Sequence, residues 1–180
     1  MPAIPTSERT DAQRAAITQF ERTRGKPPDG PFIPLLRCPE ILRIASALGR
    51  YLRFESSLPG PSRELAILLA AKRWSQGYEW ASHRPIAESV GLTPALIDAV
   101  ARGHRPDAMS RELAVAYDLC VALHRDGQVD DALYTQAVTS FGERGVIELA
   151  AICGYYSTLA MVMNLAHTPD PSGFAWPTIT

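Results

Sequence analysis

The segment SRELAILLAAKRWSQ, Ser62 to Gln76, is apolar on nearly every face once its first turn is past. A helix that is apolar all round needs neighbours on every side, so this segment predicts a central helix surrounded by other helices. The rest of the chain supplies candidates. SERTDAQRAAITQFERTRG offers Ser7 as a cap and Gly25 as a stop. KPPDGPFIP is too rich in proline and glycine to be helical. PEILRIASALGRYLRFES begins with Pro39, a good first-turn residue, and repeats Ile41, Ile44, Ala45 and Leu48 at helical spacing. In GYEWASHRPIAESVG, Pro85 predicts a kink or restart near Ala81 to His83. GLTPALIDAVARG has Thr93 as cap, Pro94 at its first position and Gly103 as stop, and SRELAVAYDLCVALHRDG ends at Gly127. VDDALYTQAVTSFG is a shorter helix. ERGVIELAAICGYYSTLAMVMNLAHTP is a long apolar one that ends near His167. No segment alternates with a period of two, so the fold class is all-α.

The remaining numbers exclude whole classes of function. A formal net charge of -1 over 180 residues gives no support to a nucleic-acid or other polyanionic partner. No uninterrupted apolar run suggests a membrane span, and the N-terminus lacks the basic-then-apolar order of a signal peptide. These features place the protein in the cytoplasm. Cys38, Cys120 and Cys153 are far apart, with no Cys-x-x-Cys, and read as buried or incidental thiols. His83, His104, His124 and His167 lie on different segments, so no metal site is expected. There is no nucleophile elbow, phosphate-binding loop or dinucleotide fingerprint, and no cofactor is expected.

Three polar residues stand in apolar company. Glu64 shares a helix face with Ile67, Leu68 and Ala71. A carboxylate there is costly unless paired, although one in a first turn also serves simply as a helix cap. Glu79 and His83 are four residues apart, one turn on the same face, among Trp74, Tyr78, Trp80 and Ile86. That spacing fits a surface ion pair and equally a partly buried proton-transfer pair. SRELA occurs twice, at Ser62–Ala66 and Ser110–Ala114. It reads either as a good helix start used twice or as a duplicated helical hairpin.

The run from Arg63 to Gly103 carries R-E-L-A-I-L, then Trp74, then Y-E-W-A-S-H, then G-L-T. This run, with the later YYSTLAMVMNLAHTP, resembles the carboxymuconolactone decarboxylase family and its wider AhpD-like superfamily. The resemblance implies residues 39–180 as the family-like helical domain, with residues 1–38 an N-terminal helix and connection. It implies a homotrimer or homohexamer with sites near subunit interfaces. The peroxidase branch uses a relay Glu, a Cys-x-x-Cys and a His. Those positions fall on Glu64, Gln76, Glu79 and His83. With Gln76 and Glu79 in place of both thiols, a thiol peroxidase of that type is not expected.

What the resemblance implies instead is a cofactor-free lyase of aromatic degradation that decarboxylates a small carboxylated lactone. His83 would be the acid, Glu79 would orient and tune it, and Glu64 would be the second carboxyl of the relay. Arg73 and Arg84 are the candidate anchors of the small-molecule substrate, and Trp80 a candidate pocket wall. A hydrolase or isomerase using the same acid–base set, and a catalytically silent oligomeric binding protein, remain open alternatives.

Overall fold

The computed structural model describes residues 1–170 and 172–177. Pro171 and the last three residues of the expected 39–180 domain lie outside the described residues. Among those described there are eight α-helices and no strand: α1 (Asp11–Arg24), α2 (Phe32–Leu35), α3 (Pro39–Phe54), α4 (Gly60–Arg73), α5 (Gly77–Ser89), α6 (Pro94–Ala101), α7 (Arg111–Asp126) and α8 (Asp131–Ala166).

The central helix is α4. Every residue from Leu65 to Ala71 is buried, packed between α5, α6, α7 and α8. The N-terminal helices form a second group, with α1 and α2 on α3, and α8 touches both groups. The N-terminal extension is therefore part of the wall around the core. By length and composition α8 could cross a membrane, contrary to the expectation of no such segment. Over half of its most apolar window is buried inside the fold, and Gly142 interrupts it with φ 67° and ψ 168°. That break falls where the sequence separates a shorter helix from a long one.

Local differences from the sequence reading have simple causes. The cap of α1 is Thr10, not Ser7, because Thr10 and Gln13 close a reciprocal capping box while Ser7 sits in a short 3-10 turn. Helix α4 starts at Gly60, so Ser62 is inside it and buried. In the second SRELA, by contrast, Ser110 caps α7 by accepting from Leu113 N. The two copies thus occupy different helix positions and do not act as equivalent starts. Pro85 does not interrupt α5. It lies on the exposed side, where the loss of one donor and a gentle curvature are tolerated.

Candidate functional site

Glu64 and His83 meet in the interior. Helix α4 carries Glu64 on its buried face, and α5 packs across it so that His83 Nδ1 lies 2.8 Å from Glu64 Oε2. Both side chains are almost fully enclosed, at 2 % and 7 % exposure. The other Glu64 oxygen faces Arg63 Nε at 3.6 Å. With the carboxylate accepting, Nδ1 carries the shared proton and Nε2 is the ring nitrogen left for other partners. Tyr156 packs edge-on against the imidazole, its ring centroid 5.2 Å away.

The partner of His83 is thus Glu64 rather than Glu79. The i,i+4 spacing does put Glu79 and His83 on one side of α5, but the imidazole Nδ1 turns toward α4. Glu79 is left alone. It is 4 % exposed, and both its carboxyl oxygens are buried without a hydrogen-bond partner. Burial pushes its carboxyl well above the usual carboxylate range and favours the neutral acid. Glu148 shows the opposite case at similar burial. It accepts from Tyr51, from Ser57 N at 2.8 Å, from Ser57 Oγ at 2.6 Å and from Arg144 at 3.0 Å. Burial alone would raise it, but these donors hold it below the ordinary glutamate value.

Glu79 and His83 line one cavity of about 120 Å³. Tyr78, beside Glu79 on α5, is one further wall, and others come from parts of the chain that the sequence did not connect with the site: Arg24 at the end of α1, Arg53 on α3, and Tyr155 and Tyr156 on α8. Arg24 is held by Ser46, with Nη2 2.9 Å from the backbone oxygen, and lies over the Phe20 and Phe32 rings. Burial raises Tyr155 to about 12 and holds Tyr156 well above its ordinary value, so both remain hydroxyl donors at neutral pH. Gly49 is what lets Tyr155 reach α3, since a Cβ at that position would overlap the Tyr155 hydroxyl. The one available sequence signal was the Tyr155–Tyr156 pair inside an otherwise apolar helix.

Arg73, Arg84 and Trp80 lie elsewhere. Arg73 stacks on Trp74 and donates to the His124 backbone oxygen at 3.3 Å. Arg84 is tied to Glu88 and Asp98, both at 3.2 Å. Trp80 is fully buried beneath Phe174 and Trp176, with ring centroids 5.6 and 5.0 Å away, and is core rather than pocket wall. Gln76, at the first of the two thiol positions, is a structural amide. Its side chain caps α5 at Tyr78 N, 2.9 Å, and donates to Asn164 on α8 at 2.7 Å. No cluster of three or more metal-ligating side chains occurs among the described residues.

No protein-family model and no curated protein matches the chain. Among solved structures, the debrominase Bmp8, a cysteine-to-alanine variant in complex with 2,3,4-tribromopyrrole, superposes with a TM-score of 0.70. The match covers 94% of this chain and 90% of that one at 13% identity. The protein has an all-α, AhpD-like helical fold.

Proposed function

We propose that the protein is a cofactor-free acid–base enzyme acting on a small, carboxylated cyclic substrate, with decarboxylation of a lactone acid as the leading reaction. The observation that carries this reading is the division of labour between two enclosed carboxyls. Glu64 is committed to His83, while Glu79 is unpartnered and favoured as the neutral acid. Environments that separate the protonation of neighbouring groups in this way suit general acid–base chemistry.

In the proposed reaction, Arg24 and Arg53 attract the substrate carboxylate into the cavity. Loss of carbon dioxide sends the electron pair into the conjugated lactone carbonyl. The Tyr155 and Tyr156 hydroxyls are the available donors for the oxyanion that develops. The dienolate carbon is then protonated from the Glu79–His83 side, and Glu64 stabilises the imidazole throughout. The cavity, about 120 Å³, is smaller than the roughly 150 Å³ that accepts one benzene ring, so a carboxylated lactone enters only if the cavity walls move apart. The bound molecule in the debrominase structure is one small ring. No cysteine lines this cavity among the described residues, so thiol-dependent debromination is not proposed.

A panel of carboxylated and uncarboxylated lactones, followed by carbon dioxide release and product analysis, tests the assignment. Release from a carboxylated ring supports it. Ring opening or isomerisation without carbon dioxide would replace it with the hydrolase or isomerase reading. Saturable binding without turnover would leave the silent binding protein.

A further inference from the structure

A second cluster of reactive side chains lies away from the Glu79 cavity, where α7 packs on α8. Cys120 and His124 are one turn apart on α7, and Cys153 faces both of them from α8. The two cysteines are free and buried, at 0% and 4% exposure. A cleft of about 320 Å³ reaches the Cys153 side, lined by Trp74, His124, Cys153 and Ser157 together with Arg73. Nε2 of His124 is buried with no hydrogen-bond partner, so a polar atom with unused capacity stands beside the thiol. Two thiols, an imidazole and an opening to one sulfur are the parts of a dithiol that oxidises in steps.

We propose that Cys153, Cys120 and His124 form an oxidant-reactive site that takes a small hydroperoxide and closes to a Cys120–Cys153 disulfide between α7 and α8. The Cys153 thiol gives its proton to His124, and the thiolate attacks the nearer peroxide oxygen. The O–O bond breaks, the departing oxygen takes the proton from the imidazolium, and Cys153 becomes a sulfenic acid. The Cys120 sulfur then displaces the sulfenic hydroxyl, which leaves as water with the Cys120 proton. Two thiols are oxidised, and one hydroperoxide is reduced to an alcohol, or to water when it is hydrogen peroxide, plus one water. The contacts of Cys153 with Cys120 and His124 lower its pKa, whereas the contact with Cys153 and burial raise that of Cys120. This fits attack by Cys153 and resolution by Cys120.

The site is unrelated to the missing Cys-x-x-Cys of α5, and a single oxidation needs no reductant. The test is exposure of the full-length protein to one equivalent of hydrogen peroxide, alkylation of the remaining thiols, and peptide mass spectrometry. A Cys120–Cys153 linkage two hydrogens lighter should form, with Cys38 still alkylated and Cys153 lost at least about ten-fold faster than Cys38. In Cys120→Ser, Cys153 should stop at a sulfenic acid that dimedone traps. In His124→Gln, the pH midpoint of Cys153 alkylation should rise. Oxidation of Cys153 no faster than that of half-exposed Cys38 would overturn the proposal, and that comparison needs no variant. Cys153 oxidation that proceeds without ever linking to Cys120 would overturn it as well.

Discussion

Replacing Glu79 by glutamine should change how stability depends on pH. In the native state both Glu79 oxygens are enclosed without donors, and burial holds the carboxyl well above its ordinary range. In the unfolded chain it titrates near 4.3. Its contribution to stability is therefore fully present below the unfolded value and is lost as pH rises toward the raised native one. Across that window the native state binds one more proton than the unfolded chain, so this residue removes about 1.4 kcal/mol of stability per pH unit. Two units correspond to about 2.7 kcal/mol. Glutamine has nearly the same shape and no charge to bury. Urea unfolding of wild type and Glu79→Gln at matched protein concentration from pH 5 to 8 isolates the term, because every other titrating group is common to both. The wild type should lose stability relative to the variant as pH rises. Parallel curves would mean that Glu79 is ionised and satisfied in the native protein, and the reasoning about its acid form would fail.

Gly49→Ala should destabilise the fold by about 1–3 kcal/mol in denaturant titrations, since its Cβ would displace the Tyr155 hydroxyl; an unchanged midpoint would show that α3 and α8 approach less closely than described. Arg24→Leu should raise KM for a carboxylated substrate more than it lowers kcat, as steady-state kinetics would show, because the guanidinium is placed to hold the carboxylate rather than to move a proton. Assembly is expected through the apolar stripes Ile41, Ile44 and Leu48 of α3 and Ile147, Met161 and Leu165 of α8, all exposed in the single chain. Sedimentation at micromolar concentration should give a trimer or hexamer that Ile44→Lys or Leu165→Lys weakens, and a monomeric wild type would refute it.

The helices were legible because their signals are local. Gly25, Gly127 and the Thr93–Pro94 pair act within a turn of where they stand, and the Leu65–Ala71 run declares its burial by composition alone. Glu64, Glu79 and His83 were also visible, as polar residues among apolar ones. Their pairing was not, because i,i+4 spacing brings two side chains to one face without saying which way an imidazole turns. The real partner of His83 lies 19 positions away on another helix. Arg73 and Arg84 are close to Glu79 and His83 in sequence, whereas the cationic wall comes from α1 and α3. Gly25 marks the end of α1 but carries no information that Arg24, just before it, faces a tyrosine on α8. The meeting of Cys120 with Cys153 is hidden for the same reason, as a contact between helices with no spacing rule.

The most direct test of the acid–base site is the rate at which the protonated product forms from the best carboxylated lactone, measured under single-turnover conditions for wild type and His83→Ala. The Glu64–His83 contact is internal and the ring lines the cavity. Removing the imidazole should slow product formation by about 10²- to 10⁴-fold while the helical content stays unchanged. Product formation at the wild-type rate by a folded His83→Ala protein would show that the Glu64–His83 pair only holds α4 to α5 and that the chemistry lies elsewhere.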